Sequence, residues 1–164
     1  MTREQFISYV KSNQRAFRRF LVALCCGDAQ LADDVAQEAY IKAYLASGSV
    51  ADTGRFTAWL FRIGYTTFLN HKRSERVFTD YDEAVAVASP DAADGAFRYQ
   101  ELYAALERLP SRERMSVLLF YMENYSVKEI AEIEEVSVDA VKQHLSRGRA
   151  HLRNLLSAEQ KERR

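Results

Sequence analysis

Apolar side chains in this chain recur every three or four positions, and no stretch alternates with the period of two that a strand needs. The pattern predicts an all-α protein. Over residues 4–26 one face carries Phe6, Val10, Phe17, Leu21 and Leu24, and over 29–46 a cleaner stripe runs through Ala32, Val35, Ala36, Ala39, Tyr40 and Ala43. The stretch "SGSVADTG" (47–54) interrupts the period with two glycines and small polar residues. Residues 55–73 restore it through Phe56, Trp59, Leu60 and Ile63, which reads as the core-facing set. Further on, Tyr99, Leu102, Tyr103, Leu106 and Leu109 form a stripe that Pro110 stops. "RERMSVLLFYME" (112–123) is apolar nearly all round and predicts a central buried helix.

Two short helices follow. Ser126 and Glu129 have the spacing of a capping box, so a helix starts there, and Ser137 is a second N-cap that limits it to about two turns. Two helices joined so tightly outline a helix-turn-helix, although a plain αα-hairpin has the same outline. Charge separates the two readings. The first helix and its turn hold Glu129, Glu132, Glu134 and Glu135, whereas "VSVDAVKQHLSRGRAHLRNLL" (136–156) sets Lys142, Arg147, Arg149 and Arg153 against the single acid Asp139. Val141, Leu145, Gly148, Leu152 and Leu155 supply the inward stripe of that second helix. Gln143 is thereby left near its exposed start, where base edges are in reach, and the bases further along suit phosphates.

Formal charge sums to zero, with 23 basic and 23 acidic side chains, but it is segregated. Residues 1–76 carry 11 bases and 7 acids; residues 77–110 carry 2 and 7. From 77 to 97 there are five acids and no base, with no helical stripe, which reads as a flexible acidic linker. The domain expectation is therefore 1–76, a linker at 77–97, and 98–164. No apolar run approaches the ~20 residues that span a bilayer, and "MTREQFISYV" has no signal-peptide core, so a cytoplasmic protein is expected. Adjacent Cys25 and Cys26 suit neither a disulfide framework nor a metal knuckle and read as packed thiols at a helix end. His71, His144 and His151 sit on basic helices with no cysteine or acid pair arranged around them, and no glycine-rich phosphate loop follows a strand. Neither an enzyme, a metal, a cofactor nor a small-molecule substrate is expected.

Two other stretches point to macromolecular partners. "RFTAWLFRIGYTTFLNHKRSER" (55–76) interleaves Phe56, Trp59, Phe61, Tyr65 and Phe68 with Arg55, Arg62, Lys72, Arg73 and Arg76. Rings among bases suit unstacked single-stranded nucleic acid, although rings at this spacing also make a core; Tyr65 and Phe68 are the pair left open to stacking. In "LADDVAQEAYIKAY", Asp34, Gln37, Glu38 and Ile41 fall on one face away from the alanine stripe. An aliphatic residue on an acid-and-amide face suits a basic protein partner with an apolar spot.

In three stretches the chain resembles the extracytoplasmic-function group of bacterial RNA polymerase sigma factors. "ADDVAQEAYIKAY" resembles that group's acid-acid-apolar pattern followed by Gln-Glu and an aromatic. "RFTAWLFRIGYTT" resembles its Phe-x-x-Trp-Leu-aromatic-Arg-Ile signature. "EIAEIEEVSVDAVKQHLSRGRAHL" resembles its final helix-turn-helix. The resemblance implies a sigma region 2-like bundle and a region 4-like helix-turn-helix domain on either side of the linker, which would run near the RNA exit path. It implies that Asp33, Asp34, Gln37, Glu38 and Ile41 dock on the coiled-coil clamp of core RNA polymerase. The 47–55 loop and the following helix, through Arg55, Arg62, Tyr65, Thr66, Asn70, Lys72 and Arg73, would hold the minus-ten strand of promoter DNA. Ser137, Ala140, Lys142, Gln143, His144, Arg147, Arg149 and Arg153 would meet the minus-thirty-five element. An anti-sigma factor is a further partner the resemblance leaves open.

The chain departs from that pattern at several positions. Thr66 stands where Asn is common, Ala140, Gln143 and His144 replace Thr, Ser and Arg, and Glu135 occupies the turn position usually held by Gly. Gln can bond bidentately to adenine and Ala can touch a thymine methyl, so the DNA site should differ from the common one. A left-handed Glu135 would cost on the order of 1 kcal/mol, so a relaxed turn is expected there. The competing expectation is a stand-alone helix-turn-helix regulator, which would need neither the aromatic-basic helix nor the Gln-Glu face.

Overall fold

The structure, a computed structural model, describes residues 1–50, 53–79 and 96–162, and among them there are α-helices, two short 3-10 turns and no strand. The helices are α1 (Arg3–Leu24), α2 (Ala29–Ala46), α3 (Phe56–Thr79), α4 (Ala96–Glu107), α5 (Ser111–Tyr121), α6 (Val127–Glu134) and α7 (Val138–Glu162). The 3-10 turns, Ser47–Ser49 and Thr53–Arg55, lie in the stretch where the apolar period breaks. Packing divides the chain into two compact units: Met1–Leu21 with Ala29–Ser89, and Val22–Asp28 with Pro90–Arg164. Most of the acidic stretch, residues 80–95, lies outside the described residues; α3 and α4 each enter the expected linker from its two ends.

The first unit is built on α1, α2 and α3. A capping box not foreseen from the sequence starts α1: Gln5 N–H donates to Thr2 Oγ1 at 3.1 Å and Thr2 N–H to Gln5 Oε1 at 2.9 Å. The core is aromatic. Phe61 meets Phe20 edge-on at 4.7 Å and Phe17 at 5.8 Å, while Phe56 sits between Phe6 and Tyr9. Helix α2 turns its predicted Ala32, Val35, Ala36, Ala39 and Ala43 stripe inward and packs chiefly on α3. The expected inward set of α3 is only half right. Phe56 and Leu60 are buried, but Trp59 and Ile63 are half-exposed, and Phe61, Tyr65 and Phe68 fill the interior instead. Just past the end of α1, in the Val22–Asp28 segment that belongs to the second unit, Cys25 is buried and Cys26 half-buried, as packed thiols.

In the second unit α5 is central, and every residue from Glu113 to Leu119 is buried. This includes two charged side chains in a segment read as apolar. Arg114 is held because its guanidinium caps α4: Nε donates to Leu106 O at 2.8 Å, and a terminal nitrogen donates to Glu107 O and Leu109 O. Helix α7 crosses α5 at Gly148, where a Cβ would lie 2.8 Å from Val117 Cγ2. The Ser126–Glu129 capping box closes in both directions and starts α6, and Ser137 Oγ accepts from Ala140 N–H at 3.1 Å to start α7. The turn between them is not relaxed. Glu135 takes φ 56°, ψ 46°, in the left-handed region, because that conformation lets its N–H and that of Val136 both return to Ala131 O.

Candidate nucleic-acid interface

On α7 the expected inward stripe is in place: Val141, Leu145 and Gly148 are buried and Leu152 and Leu155 are half-buried. The opposite face is open. Ser137, Asp139, Lys142, Gln143, Ser146, Arg147, Arg149 and Arg153 are exposed, and Ala140 is half-exposed. Gln143 and Ser146 stand in the first turns, with Lys142, Arg149 and Arg153 along one flank and Arg147 on the other. Ser146 was passed over in the sequence because it is neither charged nor part of a motif. Arg149 donates to the phenol oxygen of Tyr121, at the end of α5, at 3.2 Å.

His144 does not belong to this open face. Its side chain is 15% exposed and turns towards α5 and α6, with Nδ1 3.5 Å from Ser116 Oγ and 3.9 Å from Glu134. The resemblance implied a place at the DNA for it, but position 144 flanks the buried Val141–Leu145 stripe. Burial and the nearby Arg112 hold the His144 ring below its ordinary pKa. Ser116 Oγ donates to the Glu134 carboxylate, with distances of 2.9 and 3.1 Å to its two oxygens. Burial pushes the Glu134 carboxyl up to about 7, opposed by the Ser116 hydrogen bond and by Arg112.

In the first unit, Trp59, Arg62, Thr66, Asn70 and Arg73 recur at helical spacing along one side of α3, with Thr66, Asn70 and Arg73 exposed and Trp59 and Arg62 half-exposed. Arg55 is exposed at the start of the helix. The ring assignments made from the sequence exchange places. Tyr65 is 8% exposed and Phe68 is fully buried, so neither presents a face, whereas Trp59 does. Lys72 lies round the helix, its Nζ 5.8 Å from the Phe68 ring centre and 3.3 Å from Glu75.

Helix α2 turns Asp34, Gln37 and Ile41 outward, and the structure adds Leu45 to the same face. Ile41 is 62% and Leu45 78% exposed, an apolar ridge beside an acid and an amide. Asp33 is drawn aside by Arg18 of α1 at 3.1 Å. Glu38 is also occupied. Its two oxygens meet His71 Nε2 at 2.7 Å and Lys42 Nζ at 3.1 Å, and these contacts hold its carboxyl below the usual range. Each histidine thus faces a glutamate that the sequence did not place near it, since His151 Nδ1 is 2.7 Å from the buried Glu113. In every case the acid comes from a different helix.

Comparison with known proteins adds the family context. Residues 9–77 match the family "Sigma-70 region 2" and residues 99–152 match "Sigma-70, region 4". The chain is 30% identical over 146 residues to the ECF RNA polymerase sigma factor SigW of Bacillus subtilis, an alignment covering 79% of this chain and 78% of that one. It is 31% identical over 137 residues to the RNA polymerase sigma-H factor of Pseudomonas aeruginosa, covering 74% and 71%. Among solved structures it is similar to the sigma factor RpoE in complex with the anti-sigma factor NepR from Bartonella quintana. There the TM-score is 0.76 at 25% identity, over 93% of this chain and 96% of that one. It is also similar to CnrH in complex with the cytosolic domain of CnrY, with a TM-score of 0.71 at 25% identity over 93% and 88%.

Proposed function

This chain belongs to the ECF group of bacterial RNA polymerase sigma factors, and from that premise we propose which of its surfaces carries each step of promoter recognition. It binds core RNA polymerase, recognises promoter DNA, helps to open it and directs initiation at a particular set of promoters. Residues 1–76 serve the polymerase and the minus-ten element, 77–97 are the tether, and 98–164 serve the minus-thirty-five element. Polymerase docks on Asp34, Gln37, Ile41 and Leu45. The separated minus-ten strand lies along Arg55, Arg62, Thr66, Asn70 and Arg73, with Trp59 as the stacking ring. Helix α7 enters the major groove, with Gln143 and Ser146 towards bases and Lys142, Arg147, Arg149 and Arg153 towards phosphates.

The chain supplies binding energy and orientation, and the polymerase does the chemistry, in the cytoplasm where both meet the chromosome. No helix among the described residues is long and apolar enough to cross a membrane. One of the similar structures is a complex with an anti-sigma factor, which supports an inhibitory protein as a further partner.

The observation that carries this reading is the presence, in one chain, of a basic helix-turn-helix face and of the Trp59–Arg73 stripe. A duplex-binding regulator has no use for the stripe. Run-off transcription with core polymerase over a promoter library tests it. Discrete transcripts that depend on the chain are expected. Absence of such transcripts, together with tight sequence-specific duplex binding by the free chain, would favour a stand-alone regulator.

A further inference from the structure

Glu38 and His71 join the two helices to which the proposed function gives different tasks. Glu38 is on α2, beside the docking face; His71 is on α3, between Asn70 and Arg73 of the minus-ten face. Their contact is 2.7 Å. Lys42, on the other Glu38 oxygen, also donates to Thr67 Oγ1 at 3.4 Å, and Thr67 Oγ1 in turn donates to Ile63 O at 2.7 Å. So α2 holds α3 at Thr67 and His71, one turn apart on the inner flank. Thr66 and Asn70 stand beside them on the outer one.

The inward face of α2 is mostly alanine, which offers only shallow ridges to resist sliding or rotation of one helix on the other. The His71 and Glu38 side chains are 30% and 43% exposed, so the pair adds little to stability, and its effect is to set direction. We infer that His71 is a positioning residue which, through Glu38, fixes the minus-ten face of α3 relative to the polymerase-docking face of α2. The inference rests on the proposed assignment of those two faces.

The test compares wild type with His71→Ala, His71→Gln, Glu38→Ala and the double variant Glu38→Ala/His71→Ala in the full chain. It measures affinity for core polymerase and the rate of promoter opening by assembled holoenzyme, on a promoter the wild type opens. His71→Ala should keep core affinity within about twofold and slow opening by about fivefold or more. His71→Gln, which can still donate to Glu38, should recover most of the rate. The double variant should be no slower than the slower single, since both act through one bond. A wild-type opening rate for His71→Ala, or equal losses for His71→Ala and His71→Gln, overturns the inference. So do independent, multiplying losses in the double variant. Asp34→Lys is the separate control on the docking face: full core affinity there would overturn that assignment and leave the opening comparison readable by itself. If His71→Ala fails to fold, the rates of His71→Gln and Glu38→Ala decide: opening near wild type for the first and slowed for the second supports the bond, and any other pattern overturns it.

Discussion

The Ser116 hydroxyl lies 2.9 Å from one carboxylate oxygen of Glu134 and 3.1 Å from the other, in a site where the Glu134 side chain is only 4% exposed. One hydroxyl hydrogen bond and the charge of Arg112 only partly offset the burial of an anion there. The carboxyl therefore holds its proton up to about pH 7, against 4.5 in a free chain. Between those values the folded chain binds a proton that the unfolded chain has released. Stability contributed by this group is full below about 4.5, falls as pH rises through 7, and is flat beyond. Glu134→Gln abolishes the effect, which is worth on the order of 3 kcal/mol. Thermal melts should show the variant near wild type at pH 5 and clearly more stable at pH 8. His144, held below its ordinary pKa, acts in the opposite sense as pH falls, but equally in both proteins. Identical pH profiles would remove the buried acid from the account.

Gly148 and Val117 set how closely the recognition helix approaches α5. A methyl at 148 would meet Val117 Cγ2 at 2.8 Å, so either the Val117 side chain or one of the helices must give. Gly148→Leu should cost about 1–3 kcal/mol in denaturant melts, despite the better helix propensity of leucine. Val117→Ala should rescue Gly148→Ala: the double variant should lose less than the two singles together. Strict additivity would mean that the contact does not limit the approach.

Gln143 and Arg149 should fail differently. Gln143 stands at the exposed start of α7, and its replacement by Ala should relax preference at one promoter position by roughly 1–3 kcal/mol. Arg149 lies further along, tied to the Tyr121 hydroxyl. Its loss should weaken every sequence alike and reduce the salt slope by about one. Binding of holoenzyme to cognate and scrambled minus-thirty-five sequences across a salt series separates the two. Equal effects of both variants on both sequences would defeat the assignment.

Much of this was legible in the sequence, because helix starts and buried stripes depend on local spacing. Ser126 with Glu129, Ser137, and the Ala32–Ala43 stripe all took their expected places. What spacing leaves open is which of two faces turns inward when both carry rings. On α3 the period allowed Trp59 or Tyr65 inside, and Phe17 and Phe20 of α1, which meet Phe61, decided for the Tyr65 side. The histidine–glutamate contacts were hidden for a different reason. Each needs a second helix, 33 residues away for His71 and 38 for His151, and Ser116, which holds the His144–Glu134 contact together, stands in an apolar run. A local clue did exist for Glu134: it lies one turn after Ile130, on the buried side of α6. The left-handed Glu135 shows the limit of propensity, since two returned backbone hydrogen bonds outweigh a penalty of about 1 kcal/mol.

Asp34 and Glu38, one turn apart on α2, should respond oppositely to charge reversal. Asp34 stands on the open face with Ile41 and Leu45, whereas Glu38 sits between His71 and Lys42. Asp34→Lys should leave melting within about 0.5 kcal/mol of wild type, as exposed substitutions usually do. Leu45→Ser should do the same, because a side chain 78% exposed has little burial to lose. Both should weaken assembly with core polymerase, the first by like-charge repulsion against a basic partner and the second by removing an apolar contact at the C-terminal end of the face. Glu38→Lys should behave in the reverse order. It places a second cation beside Lys42 and removes the oxygen that meets His71, so the fold should lose about 1 kcal/mol, a modest figure because the pair is partly exposed. Calorimetry of the free chains and pull-down of core polymerase would read the two effects independently. If Asp34→Lys and Leu45→Ser assemble normally while folded, polymerase meets another surface of the chain.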